Sequence, residues 1–587
     1  MIETRLPQPP LSSQQGAPKR FSPWSDGAVL LGLAAVTVGI VELAARWAAP
    51  MTPTVEIDLS PWALPGYAAL STARMALAYL LSLSFSLVYA RIVVTSRLAE
   101  RVLIPILDIL QSIPILSFLP GVVLALVALL PGSNVGLELA AIVLIFTSQA
   151  WNMTFGFYHS LITIPSELRE VAAIHRLNGW QRFTRLELPF GAIPLVWNSM
   201  MSWAGGWFFL MAAEQFTLGE QSFQLPGLGA YLRTAADEGD IAALFLGLAT
   251  LVAVIVLLDQ LVWRPVIAWA DRFKVEQTEA ALAPTSAVLT ALRRSAVLDW
   301  LGRRFLQPLA RLLDTLGGRL FPAPSRSSSP SPSRPGTRFL ILAGGALAGA
   351  GVAAFGIWGI VGAARLLAAL SPGDWLAIGV ATGATFLRVA AALLIGAAWT
   401  IPVGVAIGLN PRLAQRAQPI VQVVASIPAT ALFPALLLLL LTLPGGLNVA
   451  AVGLMLLGTQ WYVLFNVIAG AMAIPNDLRE AAALYRLTGW RRWRYLILPG
   501  IFPSFLTGVI TATGGAWNAS IVAEFVTFGQ ETIQTVGLGA TIAQSAAAGD
   551  FSTLLASTLT MSAVVVLINR LLWRRLAALS ERRFRLD

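Results

Sequence analysis

Apolar stretches long enough to cross a bilayer recur throughout this chain, and they constrain its fold more than any other feature. A hydrocarbon core of about 30 Å needs about 20 apolar residues as a helix, because backbone groups in lipid must be satisfied within the segment. Such stretches fall at about Gly27 to Arg46, Pro65 to Val94, Val102 to Leu130, Leu137 to Ile162, Pro189 to Ala213 and Ile241 to Val262. After a polar interval they return at about Arg338 to Val361, Trp375 to Leu409, Pro419 to Leu441, Val449 to Ile474, Pro499 to Ala523 and Phe551 to Leu572. Charged residues make up 12% of the 587, half the share of about 25% usual in soluble domains. The sequence predicts an all-α integral membrane protein of about twelve transmembrane helices.

The two series are copies of one another. Ser112-Ile113-Pro114 recurs as Ser426-Ile427-Pro428 at a spacing of 314, with Pro105 and Pro120 recurring as Pro419 and Pro434. From Ile164 onward the spacing is 310, pairing Glu170 with Glu480, Glu214 with Glu524, Gly227-Leu228-Gly229 with Gly537-Leu538-Gly539, and Asp240 with Asp550. An even number of spans per copy leaves both copies in one orientation, so two parallel six-helix repeats are expected. The division is a tail at 1–26, a first repeat at 27–274, a joining segment at 275–336 and a second repeat at 337–587. Arginines after the second, fourth and sixth spans of each half place those loops and both termini on the cytoplasmic side. The tail is polar, lacks a secretory cleavage site and reads as disordered. In the joining segment, Leu289 to Phe321 sets leucines among arginines as a basic amphipathic helix interrupted near Pro308, suited to the inner leaflet, and a Ser/Pro stretch follows. It is either a tether or a docking element.

Residue inventory removes whole classes of chemistry. The chain has no Cys and only two histidines, His159 and His175, so thiolate metal sites and cysteine nucleophiles are excluded and no metal site is expected. Lys19 and Lys274, the only lysines, both lie outside any G-x-x-x-x-G-K-[ST] pattern, so this chain cannot hold ATP in a P-loop. An enzyme acting on lipid lacks an acid-base constellation.

The loop between spans four and five is the most informative segment. It reads Pro165-Ser-Glu-Leu-Arg-Glu170-Val-Ala-Ala-Ile-His175-Arg-Leu-Asn-Gly179-Trp180 in the first half and Pro475-Asn-Asp-Leu-Arg-Glu480-Ala-Ala-Ala-Leu-Tyr485-Arg-Leu-Thr-Gly489-Trp490 in the second. Ser166 and Asn476 are the expected N-caps. Leu168, Val171, Ala172 and His175 share one helix face, as do Leu478, Ala481, Ala482 and Tyr485. Gly179 and Gly489 fit a left-handed stop after the helix. An ordinary amphipathic surface helix is the alternative.

Glu170-Val-Ala to Leu186-Glu-Leu-Pro189 and Glu480-Ala-Ala to Leu496-Ile-Leu-Pro499 resemble the coupling-loop motif of type I ABC importer permeases, with the motif's spacing kept in both halves. Arg176 and Arg486 stand where that family usually has glycine. The Ser-Ile-Pro segments and the Ala-Ala-Glu214 and Val-Ala-Glu524 triplets ahead of Gly-Leu-Gly resemble the nitrate/sulfonate/taurine/bicarbonate branch. The resemblance implies a non-catalytic permease of two fused domains in a bacterial inner membrane. It also implies separate ATP-binding cassette subunits that hold the ATP and magnesium, a periplasmic or lipid-anchored binding protein, and a small anionic solute. Coupling to the ATPase would then fall to Glu170, Val171, Ala172, His175, Arg176 and Gly179, and to Glu480, Ala481, Ala482, Tyr485, Arg486 and Gly489. The near-identity of the loops predicts two copies of one ATPase. Membrane lipid is the other expected partner, and nucleic acid is not one. An ATP-independent secondary transporter or channel on a parallel repeat is the alternative function.

Prolines inside apolar spans break helices, and in membranes such breaks are tolerated where they line a cavity or are covered by protein. The pathway is therefore expected between Ser112-Pro114 and Ser426-Pro428, a plain packing kink being the alternative. Arg74, Arg388, Glu214 and Glu524 are ionisable groups in or beside spans and so join the candidate pathway residues, with snorkelling or mutual pairing as the alternative.

Overall fold

The computed structural model describes residues 23–27, 29–31, 55–130, 134–218, 221–273, 286–320, 354, 357–440, 444–528 and 531–583. The spans expected at Gly27 to Arg46 and Arg338 to Val361 lie largely outside these residues, as do the tail and the Ser/Pro stretch. Among the described residues, seven helices are long and apolar enough to cross a membrane, or eight when one sharply bent pair counts as a single span. The protein is thus a multi-pass helical bundle.

In the first half α1 is Leu64–Val93, α2 Arg97–Ser112, α3 Ile115–Leu129, α4 Val135–Ile162, α5 Ser166–Ile174 and α6 Leu188–Ala213. A hairpin of β1 (Gln215–Leu218) and β2 (Gln221–Gln224) follows, then α7 (Leu228–Glu238) and α8 (Ile241–Leu258). The joining segment contributes α9 (Gln307–Leu320). The second half repeats the order with α10 (Pro372–Gly408), α11 (Pro411–Ser426), α12 (Ala429–Leu440), α13 (Leu447–Met472), α14 (Asn476–Leu484) and α15 (Leu498–Ala523), then β3 (Phe525–Phe528), β4 (Glu531–Gln534), α16 (Leu538–Ala548) and α17 (Phe551–Ile568).

Local chemistry sets the boundaries. Ser371 and Asp374 form a capping box at the start of α10, with Pro372 as its first residue. Gly239 and Gly549, at φ 71° and 70°, end α7 and α16, and the carboxylates of Asp240 and Asp550 accept from Ala243 N–H and Thr553 N–H to start α8 and α17.

Two compact units divide the chain. The smaller draws on Met1–Val41, Pro165–Ile193 and Gln260–Pro324, and the larger on Glu42–Ile164, Pro194–Asp259 and Ser325–Asp587. The larger unit has an apolar core taken from both halves, including Leu119, Leu144, Phe433, Leu454 and Trp517.

The third span breaks where its internal proline was expected to open it, the chain bending by 98° between α2 and α3. Pro114 causes this, since it supplies no N–H and forces Ile113 to an extended backbone. Among the described residues, two β-hairpins interrupt the helices, closed by Leu225 N–H on Glu214 O (2.8 Å) and Thr535 N–H on Glu524 O (3.0 Å). Pro308 does not break the joining helix. A π-turn at Gly302–Leu306 precedes it, so helix continues from Ala296 through Leu320 and the missing donor falls where the register has already shifted. The same device precedes Pro189 and Pro499.

Candidate functional site: paired clusters, a cavity and two exposed helices

Arg74 and Glu214, far apart in sequence, meet in a fully buried cluster. Arg74 Nη1 donates to Glu214 Oε1 (2.8 Å), while Nε and Nη2 donate to Glu138 at 2.6 and 2.8 Å as a bidentate fork. Ser71 Oγ donates to Glu214 Oε1 (2.6 Å), Leu228 N–H to Ser71 Oγ (2.9 Å) and Gly229 N–H to Glu214 Oε2 (2.6 Å). The cluster therefore ties α1, α4, the end of α6 and the start of α7 together. The second half repeats it with Arg388 on Glu524 (2.6 Å), Thr385 on Glu524 (2.8 Å) and Gly539 N–H on Glu524 (2.9 Å). Its third partner is Asn448 (2.6 Å), not a carboxylate.

This geometry explains Gly-Leu-Gly. A Cβ at Gly227 would lie 2.3 Å from the Glu214 carboxylate, and one at Gly537 would lie 2.2 Å from that of Glu524. The sequence reading found Arg74, Arg388, Glu214 and Glu524 but missed Glu138, Asn448, Ser71 and Thr385. The available signal was a carboxylate, Glu138, near the start of an apolar span.

The Ser-Ile-Pro breaks lie at the α2–α3 and α11–α12 junctions. Pro114 and Pro428 are buried. Beyond Pro114, the N–H of Ile115 donates to Asn518 Oδ1 of the second half (2.6 Å), which satisfies one donor exposed by the break. Ser426 Oγ donates back to Gln422 O (2.8 Å). Residues just past both breaks, Leu116, Leu119, Thr430 and Phe433, line a cavity of about 420 Å³ that α7, α15 and α16 complete. Among the described residues, Arg233 is the single charged side chain on its wall. Arg233 pairs with Asp237 (3.2 Å), whose carboxyl burial pushes above its ordinary value against the pull of that guanidinium.

The loop helices α5 and α14 each run nine residues. Their N-caps are Pro165 and Pro475, one residue before the expected Ser166 and Asn476. The left-handed residue that ends each helix precedes Gly179 and Gly489, although Gly489 itself also takes a left-handed backbone, at φ 53°. In the first loop it is Arg176 and in the second Arg486, at φ 49° and 51°, with Leu177 N–H on Ala172 O and Arg176 N–H on Ala173 O closing the turn, and the same pair of bonds at Leu487 and Arg486. Gly179 and Gly489 instead begin the next helical turns. Ala172 and Ala482 are buried, whereas Glu170, Val171, His175, Glu480 and Tyr485 are exposed and Ala481 is half-buried. Ile174, at 76% exposure, and Leu484, at 83%, leave apolar helix ends uncovered.

The first loop has a further neighbour. Trp180 Nε1 donates to Asp314 of α9 (2.8 Å), and a Cβ at Gly317 would lie 2.3 Å from the Trp180 ring. The joining helix therefore docks on that loop, while Trp490 in the second loop is 70% exposed.

A doubled helical bundle, with one broken helix, one buried ion cluster and one short helix with an exposed apolar end in each copy, is a polytopic membrane protein of the permease class. The family described as binding-protein-dependent transport system inner membrane component matches residues 82–262 and 400–586, and the chain belongs to that family. Over 190 residues it is 30% identical to a bicarbonate transport system permease protein of Synechococcus elongatus, covering 32% of this chain and 65% of the relative. A nitrate import permease protein of Leptolyngbya laminosa is 28% identical over 188 residues, covering 32% and 64%. A taurine transport system permease protein of Escherichia coli is 29% identical over 202 residues, covering 34% and 67%. The chain thus spans about two thirds of the length of these relatives.

Proposed function

We propose that this chain is the fused transmembrane permease of an ATP-driven importer for a small anionic solute, with α5 and α14 as the helices that dock into separate ATPase subunits. Family membership and relatives named for nitrate, bicarbonate and taurine support the class of solute. The observation that carries the coupling role is that the same short helix, with the same strained turn, presents an uncovered apolar end in both halves. In this reading Glu170, Val171, His175, Arg176 and Gly179, with Glu480, Ala481, Tyr485, Arg486 and Gly489, form two docking surfaces of one shape, met by two copies of one ATPase, while the buried Ala172 and Ala482 seat each helix on the permease. A binding protein delivers solute to the outer face, and both termini lie on the cytoplasmic side of a bacterial inner membrane.

Each half contributes six of twelve spans, and solute passes between the Ser112-Pro114 and Ser426-Pro428 breaks. The Arg74–Glu214 and Arg388–Glu524 clusters frame that passage by fixing α7 and α16. Purification of the chain from its native membrane tests the reading. Co-purification of a separate ATPase, with no hydrolysis by the chain alone, is expected. Solute uptake driven by an ion gradient in vesicles holding only this chain would replace the reading with the secondary-transporter alternative.

A further inference from the structure

The joining segment is held at both ends. Its first helix, Ala287–Arg293, packs on Arg264–Ala270, the far end of the membrane-length helix that begins as α8. Asp26, just before the first expected span, accepts from Ser295 Oγ (2.7 Å) and Val297 N–H (3.1 Å) and so caps the helix that starts at Ala296. At the other end α9 closes on the first loop. Trp180 Nε1 donates to Asp314 (2.8 Å), and Gly317 lets the backbone come near, since a Cβ there would lie 2.3 Å from the Trp180 ring.

Between those holds the helix keeps an apolar face in the open. Leu309, Leu312, Leu313 and Leu316 are exposed, as are Trp300 and Phe305 before them. At about 100° per residue the four leucines share one stripe, and Asp314 and Gly317 lie about a third of a turn round from it. Gripping Trp180 therefore leaves the stripe uncovered. Arg304, Arg311 and Arg319 are exposed too and form no ion pair among the described residues. From Ala287 to Leu320 the sequence has six arginines against two aspartates, with no Lys or Glu. Arg303 engages Asp299 (2.7 Å), and Trp180 engages Asp314. A leucine stripe with arginines left over matches a surface that is apolar within and anionic at its rim, which is the inner face of a bilayer. The two holds at the start of the segment, on the α8 helix and on the residue before the first expected span, set the helix beside that surface.

We propose that the joining helix, from Ala296 to Leu320, binds the anionic lipid surface of the inner leaflet and, through Trp180, steadies the first docking loop there. The leucines enter the acyl boundary, and Arg304, Arg311 and Arg319 reach lipid phosphates. Trp490 of the second loop, at 70% exposure, has no such cover. The two loops are close to identical in sequence, so the strap and not the loop makes the halves answer differently to lipid charge. The proposal rests on the cytoplasmic placement of the joining segment in the reading above and is independent of the coupling role of α5 and α14.

The second loop is a control within the same chain. Full-length protein is placed in vesicles of phosphatidylcholine or of an equimolar mixture with phosphatidylglycerol, and amide exchange is followed in α9 and in the two loops. Anionic lipid is expected to slow exchange in α9 and in the first loop and to leave the second loop unchanged. Added salt weakens the effect by screening. Arg304→Gln, Arg311→Gln and Arg319→Gln together abolish it, each lost arginine lowering the ratio of surface-bound to free helix about fivefold, the weight of one basic residue near an anionic leaflet. Gly317→Leu keeps the slowing in α9 and removes it from the first loop. Because the chain has no native cysteine, Leu312→Cys carries a single fluorophore, which nitroxide-bearing lipid quenches in the mixed vesicles. The same fluorophore on Thr315→Cys, off the stripe, is quenched less. Equal slowing in both loops, slowing in neither, or a fluorophore at position 312 shielded by bound ATPase and not by anionic lipid overturns the proposal. Monodisperse elution of each variant confirms folding. The exchange measurements need no ATPase, so failure here is distinct from failure of the coupling reading, which co-purification reports separately.

Discussion

Arg74 and Arg388 occupy equivalent places but do not carry equivalent loads. Arg74 neutralises two buried carboxylates, Glu138 and Glu214, whereas Arg388 meets one carboxylate, Glu524, and the neutral Asn448. Removing one partner of a buried pair leaves an uncompensated charge at a cost of about 3–5 kcal/mol. Arg74→Met is therefore expected to lower the melting temperature more than Arg388→Met, with Glu138→Gln partly restoring the Arg74 variant. Equal losses in thermal melts of the two variants would contradict this account. The sequence offered the pairing of these residues only as the alternative to a pathway role, because an ionisable group in a span looks the same whether it lines a pathway or closes a cluster. What the sequence did hold was the glycine requirement: Gly227 and Gly537 are explained only once the carboxylate packed on each is known. Arg176 and Arg486 hold a left-handed backbone that costs a side-chain-bearing residue about 1–2 kcal/mol. The turn keeps its shape without glycine because two backbone hydrogen bonds close it in each half.

At the scale of elements, the long apolar helices were legible because their periodicity and length exceed anything a soluble core requires. The hairpins after Glu214 and Glu524 were not, since strands of four residues carry too little pattern to distinguish from a loop. Pro308 misled for a related reason: proline reads as a stop, and nothing local announces a π-turn that absorbs it. The joining helix α9 breaks the symmetry of the two loops by covering Trp180. Its outer stripe of Leu309, Leu312, Leu313 and Leu316 stays exposed beside Arg311, a pattern suited to an anionic membrane surface. Gly317→Leu would drive a side chain into the Trp180 ring, so α9 should leave the loop while the rest of the fold is retained. Tryptophan-selective oxidation or amide exchange is expected to show Trp180 as open as Trp490 in that variant. Continued protection of Trp180 would show that the contact does not depend on the small residue.

Across the whole molecule, the duplication made the family and the two short loop helices readable, because one motif found twice at fixed spacing is hard to produce by chance. The cavity escaped for the converse reason: three of its polar residues, Arg233, Gln215 and Thr430, lie where the copies differ, so a search for agreement between halves passes over them. The central claim is that the uncovered ends of α5 and α14 are where an ATPase docks and drives the permease. Ile174→Asp together with Leu484→Asp puts a charge on each end while touching little else, since both side chains lie in the open. The most direct measurement is the amount of ATPase retained by the purified double variant, alongside its membrane yield and melting temperature. The account predicts wild-type yield and melting temperature with retention lost, and with single substitutions losing less than the pair. Full ATPase retention by a folded double variant would contradict it.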